Sequence, residues 1–245
     1  MIRAPEVLEL WERASGLDPQ RRALEIAAAA EPTTDPADLA VRPLGQRAVR
    51  LLDLRAFLGG TTIEATAVCP GCDRVLEFEV DTDDLRALAT ADESARTAPR
   101  TIVVRGHEVV WRCVTAADLE AVGSLGDAAS AESALLDRCI DSVKGADGDP
   151  DLESAVRDAV VAAMEAADPL AEVRTSLSCG DCGQDFDAEL DLAEFAWTEL
   201  HVAAQRLLWD VDTLARTYGW TEPDVLALSP RRRRAYVDMA VGGRG

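Results

Sequence analysis

Two short cysteine turns, Cys69-Pro70-Gly71-Cys72 and Cys179-Gly180-Asp181-Cys182, constrain this chain more than any other feature. A Cys-x-x-Cys turn sets two sulfurs on one side of a tight loop, where they can fill two corners of a tetrahedron, and a second turn supplies the other two. The surroundings repeat as well: Cys69 recurs as Cys179 and Cys72 as Cys182, a constant offset of 110 positions. After the first turn, Leu76, Phe78 and Val80 alternate with Glu77, Glu79 and Asp81. After the second, Phe186, Ala188 and Leu190 alternate with Asp187, Glu189 and Asp191. That is the period of a strand with one face buried and one in water. Asp73 and Gly183, which follow the second cysteine of each turn, both tolerate left-handed backbone. Each copy is therefore expected to fold as strand, knuckle, strand.

Four thiolates leave no open coordination position, so the expected ion is a structural zinc held by Cys69, Cys72, Cys179 and Cys182. Ordinary zinc-ribbon pairs stand roughly 15–20 residues apart, whereas here more than a hundred residues separate Cys72 from Cys179. The expectation is a split ribbon with an insertion. Two thiol-disulfide pairs, or two independent reduced turns without metal, are the alternatives. A redox-active pair usually opens a helix, which lowers the pKa of its first thiol, and the strand period after both turns favours metal instead. Cys113 and Cys139 lie in apolar patterns and read as small buried hydrophobes.

At 245 residues with 48% hydrophobic content, the chain can bury a full core as one large or two small domains. A formal charge of −20 argues against nucleic-acid partners, because phosphate binding draws on basic residues. No apolar run is long enough to span a membrane, and the first residues lack the basic start and apolar stretch of a secretion signal. Metal-binding thiolates suit a reducing compartment, so the bacterial cytoplasm, or a particle assembled there, is the expected location.

Along the chain, residues 1–60 read as a helical head. Pro5 to Ala14 form one helix, Asp18-Pro19 opens a second that stops at Glu31-Pro32, and a third runs from about Leu44 to Gly59-Gly60. Residues 61–191 form the split ribbon with its insertion. Within the insertion, residues 86–100 read as polar loop and Thr101–Val114 as a hairpin turning at Gly106. Thr115 with Asp118 starts a helix, a second helix covers about 130–141, and Lys144 to Pro150 is a loop. An amphipathic helix from Leu152 to Met164 stops at Asp168-Pro169. Residues 192–245 hold one long helix, Leu192 to Tyr218, closed by Gly219 and followed by short helices starting at Thr221 and Ser229-Pro230. The expected fold class is α+β: a split four-cysteine zinc-ribbon-like β core with a helical head, an inserted hairpin and helices, and a long C-terminal helix followed by short ones.

The combination of Leu8-Glu9-Leu10-Trp11-Glu12-Arg13, the two cysteine turns, and the ending from Tyr218-Gly219-Trp220 through Ser229-Pro230-Arg231-Arg232-Arg233-Arg234-Ala235-Tyr236 resembles the baseplate hub assembly chaperone-type proteins. These belong to contractile phage tails and phage-tail-like injection systems. The likeness covers nearly the whole chain, and the ending is its most specific part. It implies a non-enzymatic structural or assembly role, with baseplate, tube-hub or tape-measure proteins as partners and neither nucleic acid nor membrane involved. Trp220, Arg231, Arg232, Arg233, Arg234 and Tyr236 then read as a partner-binding surface, since Trp, Tyr and Arg are enriched at interface hot spots. The plainer reading puts the aromatics in a core and the arginines on a solvated face. His107 and His201, the only histidines, read as structural, and no phosphate loop or metal-hydrolase pattern is present. A thiol-disulfide oxidoreductase using one cysteine pair and a generic zinc-stabilised binding adaptor are the rival functions.

Overall fold

Asp18, Asp35, Asp127 and Asp191 each accept backbone N–H bonds at the start of a helix, and proline follows the first two directly, so local chemistry sets many of the element boundaries. The computed structural model describes residues 2–31, 33–58, 60–89, 98–144 and 150–242. The head contains α1 (Ala4–Ser15), α2 (Pro19–Ala29), the short α3 (Pro36–Ala40) and α4 (Leu44–Leu58). The first hairpin, β1 (Thr62–Val68) and β2 (Val75–Asp81), leads into α5 (Thr82–Leu88). The insertion holds β3 (Arg100–Val104), β4 (His107–Trp111), α6 (Ala116–Val122), α7 (Ala128–Cys139), β5 (Ile140–Val143) and α8 (Pro150–Ala167). The second hairpin, β6 (Val173–Ser178) and β7 (Asp185–Leu190), is followed by α9 (Leu192–Tyr218), α10 (Glu222–Leu226) and α11 (Pro230–Gly242). The fold is α+β, as expected.

Three differences from the expected elements have local causes. Residues 86–88 close α5 instead of opening a loop, because the Asp81 carboxylate caps a turn whose buried face is Thr82 and Leu85. Ile140 leaves the helical pattern of Leu135 and Leu136 and begins β5, which pairs with β4 across a register shift at Val110/Trp111. α3, built on Asp35-Pro36, was not anticipated. Residues 90–97 of the expected loop, 145–149 of the next one, and the expected stops Pro32 and Gly59 lie outside the described residues.

Three apolar clusters organise the packing. The largest joins head and spine: Leu10 of α1, Ile26 of α2 and Leu52 of α4 pack with Leu200 and Ala204 of α9. The second seats α8, through Val156 and Val160, on Val109 and Trp111 of the β3–β4–β5 sheet. Its hairpin turns on Arg105 and Gly106, both with positive φ, the backbone of a tight two-residue turn. The third cluster gathers Leu214 of α9, Val225 of α10, and Val237 and Ala240 of α11. At about 1.5 Å per residue, the 27-residue α9 is about 40 Å long, and it is long because it serves two cores. Gly219, at φ 71°, ends it in the left-handed conformation that glycine adopts without strain.

The two hairpins repeat each other strand by strand. In the first, Ile63 stands opposite Val80 and Ala65 opposite Phe78; in the second, Val173 stands opposite Leu190 and Thr175 opposite Ala188, each pair displaced by the same 110 positions. The correspondence continues into the caps, where Asp81 starts α5 and Asp191 starts α9. A helix also precedes each hairpin, α4 in one case and α8 in the other. The repeated unit is thus helix, hairpin, helix, and the β3–β5 sheet with α6 and α7 lies between its two copies.

Candidate metal centre

Each knuckle is built by the same pair of backbone hydrogen bonds. Cys69 N–H donates to the Arg74 carbonyl (2.8 Å) and Asp73 N–H to the Cys69 carbonyl (3.0 Å); Cys179 donates to Gln184 (2.9 Å) and Gly183 to Cys179 (2.8 Å). Closing so tight a turn needs a left-handed residue after the second cysteine, and Asp73 (φ 56°) and Gly183 (φ 73°) both supply it.

These turns bring the four sulfurs together from opposite ends of the insertion. All lie within 4.8 Å of one another. The Sγ atoms of Cys69 and Cys182 are 3.6 Å apart, and so are those of Cys72 and Cys179. These two contacts exchange with each other under the 110-residue offset, so the knuckles face each other about a local two-fold. Cys69 and Cys179 are buried, whereas Cys72 and Cys182 are exposed, and none is in a disulfide. Four soft donors at these separations could hold one metal ion.

The proton affinities of the thiols reflect their crowding. At Cys72 the Arg74 backbone N–H favours the thiolate, but the neighbouring Cys182 and Cys179 thiols outweigh it and push the group up to about 12. Backbone N–H bonds from Cys182 and Asp181 bring Cys179 down to about 7. Cys182 receives a backbone N–H from Gln184, yet Cys69, burial and Cys179 carry it upward.

The contact between the knuckles extends beyond sulfur. Arg74 donates to the Asp181 carboxylate across the two knuckles (2.5 Å). At the position related by the repeat, Gln184 lies over Gly71, where an added Cβ would fall 2.0 Å from the Gln184 Oε1. Arg55, on α4, anchors the base of the first hairpin and ties it to α9. It donates to the carbonyls of Gly60 (2.6 Å) and Thr62, and pairs with Glu199 of α9 (3.0 Å). Burial raises the Glu199 carboxyl while Arg55 opposes the rise. Sequence reasoning did not single out Arg55, Arg74 or Glu199. For Arg74 and Gln184 the 110-residue offset was the available signal.

The expected partner-binding residues separate on inspection. Arg231, Arg232 and Arg234 are exposed. Arg233 is buried and pairs with Asp210 of α9 (3.0 Å), so it holds the terminal hook to the spine and is corrected from surface residue to internal anchor. Trp220 and Tyr236 are half-buried around the third core, with ring centroids 4.9 Å apart and Tyr218 stacked beside Trp220. Cys113 and Cys139 are buried as expected. His201 accepts the Trp11 indole N–H at Nδ1 (2.9 Å), tying α9 to α1, and His107 lies within hydrogen-bonding distance of the Lys144 carbonyl (3.1 Å). Among the described residues, no helix is long and apolar enough to cross a membrane. No family model, curated protein or solved structure matches this chain.

Proposed function

We propose that this protein is a non-enzymatic, zinc-clamped scaffold that builds, or forms part of, the baseplate hub of a contractile phage tail or phage-tail-like injection system. The observation that carries the clamp is the convergence of four cysteine sulfurs, from segments 110 positions apart, within 4.8 Å. Zinc bound by thiolates at about 2.3 Å in a tetrahedron needs sulfur separations of roughly 3.8 Å, and the two 3.6 Å contacts match that demand. Cys69, Cys72, Cys179 and Cys182 would hold the ion and fill its shell, so its chemistry there is cross-linking and not Lewis acidity. A thiol oxidoreductase would use the two sulfurs of one turn, with a helix start to favour the thiolate. Here the short contacts run between turns, and strands follow both.

Support for the tail-machine role comes from the resemblance in the ending, whose arginines and aromatics sit on the terminal hook. Arginine recognises carboxylates bidentately, and Trp220 and Tyr236 offer large half-buried faces beside Arg231, Arg232 and Arg234. The test is purification together with the products of neighbouring genes, followed by zinc and thiol quantification. One zinc per chain, lost in C72S/C182S, and co-purification with a tube-hub or baseplate protein, weakened by R231E/R232E/R234E, are the expected results. Metal-free protein with two disulfides would overturn the clamp and favour the oxidoreductase. Zinc with no tail-protein association would leave a generic adaptor. Arg233 is excluded from the charge reversal because its loss would disturb the fold of the hook.

A further inference from the structure

The two hairpins share one register, yet their solvent faces are finished differently. In the second copy Arg174 stands opposite Glu189, the Ser176 hydroxyl donates to Asp187 (2.7 Å), and the Ser178 hydroxyl donates to Asp185. Its two serine–aspartate pairs are closed by hydrogen bonds, and Arg174 makes its ion pair with Glu172, just before the strand (2.5 Å). In the first copy the same positions place Glu64 opposite Glu79, Thr66 opposite Glu77, and Val68 opposite Val75. Among the described residues, none of these three glutamates forms an ion pair, and each valine is 59% exposed. Like charges directly opposite on an antiparallel pair destabilise it, and a mostly exposed valine pair contributes little burial. The second copy shows that the fold does not require either feature.

We propose that this outer face of the β1–β2 hairpin is a docking surface for a protein segment bearing arginine or lysine around an apolar anchor. The cations would neutralise the Glu64, Glu77 and Glu79 carboxylates, and the anchor would cover Val68 and Val75. The same glutamates border a cleft of about 950 Å³ between this hairpin, the end of β7 and α9, which is also lined by the half-buried Phe78 and Phe195 and by the acids Glu189 and Glu194. Acidic charge and apolar surface therefore continue from the face into the cleft. With carboxylates spaced within a Debye length, their potentials add and select the sign of the partner. The site does not depend on the tail-assembly role.

The test uses the full chain and a short fluorescein-labelled peptide of alternating arginine and glycine around a central leucine, read by fluorescence anisotropy. Glu64→Arg installs the arginine-opposite-glutamate register of the second hairpin and removes the like-charge pair with Glu79, so it is expected to raise the melting temperature by about 1–3 °C while weakening the peptide about tenfold or more. Gain in stability with loss of binding separates docking from misfolding. The same charge change at exposed Glu12 is expected to leave affinity within about twofold, and replacing the peptide's leucine by glycine is expected to weaken it. Equal losses in E64R and E12R, no dependence on the leucine, or no binding at all would overturn the proposal. So would a dimer of this chain that E64R dissociates, which would make a second copy the occupant.

Discussion

Asp118 gathers three residues from separate parts of the insertion onto one buried carboxylate. It is 1% exposed and accepts from Arg112 Nη1 and Nη2 (2.6 and 2.9 Å), Arg138 Nε (2.9 Å) and the Thr115 hydroxyl and backbone N–H (2.7 and 3.1 Å). Burial alone would raise its carboxyl, but the Arg112 and Thr115 hydrogen bonds hold it well below the usual carboxylate range. A depressed folded pKa gives stability that is complete above the unfolded value, about 4, and is lost as pH falls through the folded one. D118N should therefore cost about 3 kcal/mol at neutral pH, with its gap from wild type narrowing below about pH 4; urea midpoints at pH 7 and pH 3 measure both. A gap independent of pH would show that the charge is not what matters. Thr115 and Asp118 were legible as a helix start, whereas the two arginines were not, because they arrive from the end of β4 and from α7. Arg233 teaches the same lesson. Four consecutive arginines sample every side of a helix, and only the buried row Arg233, Val237 and Ala240, spaced by four and three, marks the one that turns inward.

Among the elements, α4 takes its N-terminal cap from across the fold. Gly45 N–H donates to Asp168 Oδ2 (2.9 Å), and a Cβ on Gly45 would fall 1.9 Å from the other carboxylate oxygen. Asp168 is 3% exposed and has little room to retreat. G45A and D168A should each destabilise by about 2 kcal/mol, and the double variant should lose little more than either alone because both remove one contact. Fully additive losses in thermal melts would disprove the shared cap. Asp168-Pro169 was readable as the end of α8, but not as the cap of a helix more than a hundred residues earlier. The long helix was legible from end to end because its apolar period, aspartate cap and glycine stop agree. The four-residue β5 and seven-residue α5 were not, since neither is long enough to establish a period, although Asp81 repeats the capping Asp191 at the cysteine offset. The four cysteines of the cluster were likewise visible in the letters. Their face-to-face arrangement, with each close contact between opposite knuckles, depends on three-dimensional closure and was not.

At the scale of the whole molecule, the proposed clamp would couple metal to folding. An ion that binds only the folded chain adds about 4 kcal/mol when its free concentration stands a thousandfold above Kd, and about 1.4 kcal/mol for each further decade. For a chain of this size, that corresponds to roughly 3–6 °C of melting temperature per decade of free zinc. Calorimetry in zinc buffers should show this slope, and C72S/C182S should abolish it; a melting point indifferent to zinc would remove the clamp from the account of stability. The head and terminal hook have separate apolar clusters, yet α9 passes through both without a break. Its hydrogen-bonded ladder resists bending, so a force applied at the hook is delivered to the head as torque along a stiff lever about 40 Å long. Whatever grips one end of that helix can reorient the other without first unfolding anything between them.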